Sequence, residues 1–433
     1  MYGLIFTYSL AYGGAFVSLF RPFLGLLIYI SFAILKPDAL WPWAVPRGNY
    51  SLIVAIGMLV GWVLHGFGSR QLGKSRAIII AFTGFMIWSV CSAVQAPDQE
   101  RAWEFVDGMF KIFLPLLVGI TEIDSVRKLK QLAWVIALSQ GYLAYEINLS
   151  YFAGNNVVHE YGFAGQTDNN GVALAMHTCV PLAFILGLQC RAWWAKALAF
   201  GVATLMAHVV LLSFSREGML GLLAAGAVTL FLLPKRSWHF VAFALALAIV
   251  LRLAGTEVRN RFWTILADPA ERDSSAQSRV ALWGNCLDLM RSNPMLGIGP
   301  NHFSLVSSEF GWPEKKEAHT LWLKMGAELG VPGLVLLVLF YGVCVVRLWP
   351  VARAREPSVD PWFADSARMV VASLVGFFVC TQFNNLYGIE VPYYVALLGA
   401  ATLKLLPTPT SAGNNAEQHA SAAQTTALLL PDA

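Results

Sequence analysis

The chain has 433 residues, of which 57% are apolar and only 13% charged, and its mean hydropathy is +0.58. A soluble domain must meet water over its whole surface, so this composition excludes a soluble globular fold. The formal charge of +4 is small and spread among loops, which points to membrane orientation and away from nucleic-acid binding.

Segments of about 20 apolar residues, each able to cross a hydrocarbon core of about 30 Å, recur from end to end. In chain order they fall at roughly 4–20, 23–35, 51–65, 77–94, 104–120, 131–152, 171–188, 193–214, 218–233, 238–253, 321–346, 369–383 and 393–406. The first lacks a basic flank and a small-residue cleavage site, so it reads as a retained span. Arg21-Pro22 separates it from the short second segment, and the two also fit a re-entrant pair. The expected fold is all-α and polytopic, with about 12 transmembrane helices, give or take one. A single integral membrane domain covers 1–406, and the Ser/Ala/Thr/Gln-rich tail 407–433 is expected to be disordered in the cytoplasm.

Lys and Arg gather in alternate loops: Arg21; Arg70, Lys74 and Arg76; Arg127, Lys128 and Lys130; Arg191 and Lys196; Lys235 and Arg236; Arg347, Arg353 and Arg355; Lys404. The opposite short loops carry Lys36, Arg47, Arg101 and Arg216. The first set is therefore expected on the cytoplasmic side. One long polar loop, 255–320, falls on the other, extracytoplasmic face. It holds Trp263, Trp283, Phe303 and Trp312, enough aromatic surface to fold, and long loops of that kind are commonly functional. No internal repeat is evident, which counts against a transporter built from inverted halves.

Six cysteines, at 91, 179, 190, 286, 344 and 380, have no CxxC spacing and read as small core hydrophobes. No His, Asp, Glu or Cys set has metal-ligand spacing, so neither a metal site nor a cofactor is expected. Three residues stand out. Arg216 lies between two apolar runs in Ser213-Phe-Ser-Arg-Glu-Gly218; an arginine so close to hydrocarbon is either functional or an interfacial residue paired with Glu217. Arg279 follows Ser278 at the start of an expected amphipathic helix, and its planar fork of donors suits a diphosphate. His319, before a span with Thr320 available as cap, could serve as a general base or as a structural cap. Asp168-Asn-Asn170 opens another span, whose amides could receive an anion or simply be capped. Gly297-Ile-Gly299 has no strand before it and reads as a turn.

Taken together these pieces resemble the O-antigen ligase and polymerase family of bacterial membrane glycosyltransferases. The matching stretches are Asp168-Asn-Asn170, Ser213 to Gly218, Ser278-Arg279 with Trp283, Pro294-Met-Leu-Gly-Ile-Gly299 with Asn301 and Phe303, Ala318-His319-Thr-Leu-Trp322, and Glu328-Leu-Gly330 with Gly333. They cover about 165–340. The N-terminal third, with Arg21-Pro22, Leu35-Lys-Pro37 and Ala102-Trp103-Glu104, is similar to ligase-like proteins found beside exosortase-type sorting systems. The resemblance implies a GT-C-like fold and an enzyme of the bacterial inner membrane whose site faces the periplasm. It implies an undecaprenyl-diphosphate-linked glycan as donor and, for a ligase, lipid A–core as acceptor; relatives polymerise repeat units or glycosylate proteins. Carried over, Arg216 and Arg279 would bind the diphosphate and His319 would deprotonate the acceptor hydroxyl, with Asp168, Asn170 and Asn301 as support and no metal. The chain departs from the family where Thr320 follows the His in place of Asn, and Glu217 follows the Arg in place of Gly. A flippase for lipid-linked glycans is the reading from another class; it would place charges at the bilayer midplane.

Overall fold

The computed structural model describes residues 2–161, 163, 168–234, 238, 240–241, 244–245, 248, 252, 274–354 and 360–407. Most of the expected span 238–253, the loop residues 253–273 with Trp263, and the tail 408–433 lie outside them.

The protein is an all-α, multi-pass membrane protein. Its helices are α1 (Tyr2–Tyr8), α2 (Gly14–Phe20), α3 (Pro22–Leu35), α4 (Pro37–Leu40), α5 (Tyr50–Leu64), α6 (Arg76–Gln95), α7 (Gln99–Glu122) and α8 (Val126–Phe152). Then come α9 (Val157–Tyr161), α10 (Asn169–Gln189), α11 (Trp193–Leu212), α12 (Arg216–Leu232), α13 (Ser274–Ser292), α14 (Phe303–Val306), α15 (Leu321–Arg353), α16 (Pro361–Thr381) and α17 (Val391–Leu405). Among the described residues seven spans are long and apolar enough to cross a membrane, the first running through α1 and α2. Two further apolar helices, α5 and α17, have 15 residues each, and α7 and α8 are long but more charged at their ends.

Local chemistry sets the boundaries. Pro22 starts α3 at a position where its missing N–H costs nothing, and Lys36, in the left-handed region at φ 44°, ends it before Pro37. Asp98 caps α7 by accepting from Arg101 N–H at 3.2 Å, so that helix begins earlier than its apolar run suggests. α16 begins eight residues before the expected 369: Asp360 caps it, and its two early charges, Asp365 and Arg368, pair at 2.7 Å and so tolerate burial. α15 is broken at Gly330 (φ 71°, ψ 178°) ahead of Pro332.

The helix ends sort into two groups. At one end Lys36 meets Glu390, Asp98 meets His302, Asn156 and Asn169 bond the end of α11 and the turn after it, and Asn385 meets Glu317. At the other, Ser69 meets Thr121, Lys404 meets the end of α7, Arg347 meets Lys74 and Gln189 meets Asp365. The second is the end rich in Lys and Arg. The expected loop belongs to the first, and much of its described part is helical: the 19 residues of α13 pack through Leu282 and Cys286 with Phe303, Ala318 and Ala327, all fully buried.

Candidate functional site

Arg216 is the first residue of α12 and is half-buried. The turn before it is tight: Phe214 sits at φ 54°, and Ser215 caps the helix by accepting from Gly218 N–H at 3.1 Å. A cation at a helix N-terminus opposes the macrodipole, so helix stability is not the reason for an arginine there. Guanidinium and dipole together make a strongly positive spot. α10 starts beside it, because the Asn169 side chain donates to the Ser213 carbonyl at 2.7 Å. Asn169 rather than Asn170 makes this tie; Asn170 is half-buried in the same turn. Asp168 caps α10, accepting from Gly171 N–H at 2.7 Å. The amide end that could have received an anion is thus partly filled by the chain's own carboxylate.

Arg279 lies in the first half of α13, half-buried, with no ion pair to a described residue. Trp283, one turn on, packs its ring 6.1 Å from Phe383, and Trp312 donates to Asn285 at 3.0 Å. The helix is held on both flanks.

His319 precedes α15 in a left-handed conformation, φ 50°. A non-glycine residue there is strained and persists only where its surroundings demand it. The Thr320 side chain makes no cap bond, contrary to the expected role: its backbone is extended (φ −153°) and its side chain is buried. No described residue hydrogen-bonds the His319 ring. Burial lowers the His319 pKa, and the positive charges of Arg279 and Lys316 lower it further, against the opposing effect of Glu317 and Asp168. The ring is therefore neutral further into the acid range than an ordinary histidine. Arg279, Asp168 and Arg216 all act on the buried Glu217 carboxyl as well. The structure thus places Asp168 and Arg279 within electrostatic reach of both His319 and Glu217, and Arg216 within reach of Glu217.

Asn301 takes a different part. It sits at φ 64° in an arm, 293–303, that zips onto the break in α15. Ile298 and Gly299 donate to the Ala327 and Glu328 carbonyls, and Val331 donates back to Pro294. Phe303 N–H reaches the Glu328 carboxylate at 2.9 Å. Gly297 and Gly299 both have positive φ, and a Cβ at Gly297 would lie 2.3 Å from the Glu328 backbone, so glycine is required there. Ser92 and Trp88 of α6 bond the same junction. His302 closes the arm: its Nε2 accepts from Asp98 N–H at 3.0 Å and its Nδ1 faces the Pro300 carbonyl at 2.8 Å. Its proton is therefore on Nδ1, and its role is structural.

A second cluster beside His319 escaped the sequence reading. Lys324, 2% exposed, pairs with Glu317 at 2.8 Å and faces Glu328 at 3.8 Å. Asn385 donates to the same Glu317 oxygen at 2.6 Å, and Tyr387 lies beneath the ammonium. This pins the chain two residues before His319. The available signal was a lysine inside an apolar run with a glutamate four residues later. Among the described residues no group of three or more His, Cys, Asp or Glu could hold a metal ion. Of the cysteines, 179, 286, 344 and 380 are buried, 190 is partly so and 91 is exposed, all as free thiols.

Residues 180–338 match the O-antigen ligase family. This match supports assignment to the O-antigen ligase/polymerase family. The matched segment contains Arg216, Arg279, Asn301 and His319, and begins just after Asp168 and Asn170. Residues 1–155 match a family of unknown function. No curated protein matches the chain. The match supports an enzyme of the membrane glycosyltransferase and ligase type.

Proposed function

We propose that the protein transfers a glycan from a polyprenyl diphosphate, such as undecaprenyl diphosphate, to an acceptor hydroxyl at the extracytoplasmic face of the bacterial inner membrane. The observation that carries this reading is that Arg279, without an ion pair to a described residue, acts both on the strained His319 and on Glu217, where helix-terminal Arg216 also acts.

The donor brings its own leaving group. The two guanidinium groups grip the diphosphate, each able to contact two oxygens, and the N-terminus of α12 adds partial positive charge. As the anomeric C–O bond breaks, its electron pair passes to the lipid diphosphate, whose growing charge these groups stabilise without reorganising. The acceptor oxygen attacks from the opposite face, inverting the anomeric centre, and its proton goes to His319. Arginine supplies the charge that many glycosyltransferases take from a divalent ion, so transfer is expected to survive excess chelator; rescue of a chelated enzyme by Mg²⁺ or Mn²⁺ would overturn the clamp. Ligation onto lipid A–core is the reading favoured here. Repeat-unit polymerisation and protein O-glycosylation use the same chemistry.

The test is single-turnover transfer with purified protein, a lipid-linked glycan and isolated lipid A–core, comparing wild type with His319→Ala. Orientation has its own test. In a Cys91→Ala background, a cysteine replacing the exposed Ser308 should react with an impermeant thiol reagent in intact cells with a permeabilised outer membrane. One replacing the exposed Ser69 should not.

A further inference from the structure

A cavity of about 300 Å³ lies at the same end of the bundle but away from the arginines. Its walls come from the ends of α3 and α5, the middle of α7 and the segment 387–390. That volume is at the lower end of ligand cavities, which run from roughly 300 to 1,000 Å³, and suits a sugar ring rather than a folded partner. We propose that this cavity binds a neutral saccharide and is the acceptor subsite, an assignment that rests on the transfer reaction proposed above.

The lining has the chemistry of sugar recognition. Tyr50 and Tyr387 bring aromatic rings to it, Lys36 and Lys111 (the latter also paired with Asp107 at 2.5 Å) bring donors, and Asp38 and Glu390 bring acceptors. Sugar hydroxyls donate and accept at once and therefore need both kinds of partner. The two cations and two carboxylates balance, so the cavity offers no surplus of positive charge to a phosphate or uronate. Lys36 and Glu390 stand 3.8 Å apart, a loose pairing that a hydroxyl can enter. Lys36 is held in the left-handed region at φ 44°, a strained state that fixes where its side chain emerges. Two glycines leave the walls bare: a Cβ at Gly108 or Gly388 would meet nothing within 4 Å.

The cavity is connected to the candidate base. Tyr387 lines it and lies under the Lys324 ammonium; Lys324 and Asn385 hold Glu317; and Glu317 acts on His319. Arg279 and Asp168 reach His319 from α13 and α10. His319 is thus linked through Glu317, Lys324 and Tyr387 to the neutral cavity and directly to the cationic Arg279. The cavity's α3, α5 and α7 walls also fall within 1–155, outside the segment that matches the ligase family.

The experiment uses the full chain in detergent and saturation-transfer NMR with methyl hexosides, methyl N-acetylhexosaminides, a methyl uronide, phosphocholine and a Ser/Thr-containing peptide as probes. The neutral glycosides should receive saturation and the others should not. Gly108→Leu adds bulk at the cavity wall from a Cβ that has open space around it and improves helix propensity; it should abolish the signal. Glu390→Gln, nearly isosteric, should weaken it several-fold. His319→Ala and Arg279→Ala should leave it intact. In transfer assays Gly108→Leu should raise the half-saturating acceptor concentration by about tenfold or more while that of the donor stays fixed. Preference for phosphocholine or the peptide, or a glycoside signal that survives Gly108→Leu, would overturn the saccharide site. An equal rise for donor and acceptor would overturn its acceptor role. Normal turnover by His319→Ala would instead sink the transfer mechanism and leave the saccharide site standing.

Discussion

Two arginines at opposite ends of this molecule show how a buried or half-buried charge reveals its purpose. Arg368, in α16 at the basic end, is finished: its guanidinium donates to the Ala352 and Ala354 carbonyls at 2.9 Å each and to Asp365 at 2.7 Å. Lys404 at the same end is similar, bonding the carbonyls of Ile120 within the last turn of α7 and Ile123 just beyond it, where a cation complements the helix dipole. Arg279 is held just as firmly by its helix yet has no ion-pair partner among the described residues. A satisfied charge stabilises a fold, whereas one positioned and left open is available to a ligand.

The largest effect should come from His319. Replacing it with Ala should lower single-turnover transfer by roughly 10²–10⁴-fold, the usual range for loss of a general base, with donor binding close to normal. His319→Gln keeps a hydrogen-bonding group but cannot take the proton and should be about as slow; near-full turnover by that variant would make His319 a structural residue. Next is the finished arginine. Arg368→Met removes the guanidinium that bonds Asp365 and the Ala352 and Ala354 carbonyls and should cost up to about 3–5 kcal/mol of stability, read as a lower melting temperature, while the surviving folded protein binds donor normally. If donor affinity fell instead, the contrast between the two ends would collapse.

Arg279→Ala should do the opposite, leaving the melting temperature near wild type and weakening donor binding by about 1.5–3 kcal/mol for the lost charge-assisted contact. Arg216→Ala should weaken donor binding similarly. Lysine should rescue either in part, since an ammonium cannot make the two-point contact; complete rescue would argue for a diffuse field rather than a clamp. The smallest effect concerns pH. His319 has a lowered pKa, so transfer should hold as pH falls below the ordinary histidine range and decline only through the depressed value. Lys316→Gln removes one of the charges that lowers it, so the acid limb should move to higher pH by on the order of a few tenths of a unit. Glu317→Gln should move it the other way. A limb that ignores both substitutions would mean that His319 is not the titrating base.

Much of the architecture was legible because hydrophobic runs and their breakers are local. The spans near α3, α5, α6, α10 and α12 could be bounded from Pro22, Asp168 and the apolar periodicity. The early start of α16 could not, because Asp365 and Arg368 look unfit for a buried helix until their pairing is seen. The functional motifs were also readable as short strings, but not their division of labour. The sequence presented Asn301 as support for Arg279 and His319, and gave the adjacent His302 no role. In three dimensions Asn301 and His302 lock the 293–303 arm onto Glu328 and Asp98, and the other two take no part in that lock.

By itself, then, the sequence determined that this chain crosses a membrane many times, which loops carry its cations, and which arginines and histidine deserve scrutiny, because each of these depends on residue type and spacing alone. Tertiary structure decided which of those groups are satisfied. It set Thr320 aside as a cap, put Asn169 in place of Asn170 at the tie between α10 and α12, and brought Lys324, Glu317 and Asn385 from two separate loops and a helix into one network. It also opened a cavity between residues 29–112 and 387–390, a juxtaposition of segments more than 250 residues apart. Satisfaction of a polar group depends on partners distant in the chain, and no local pattern encodes them.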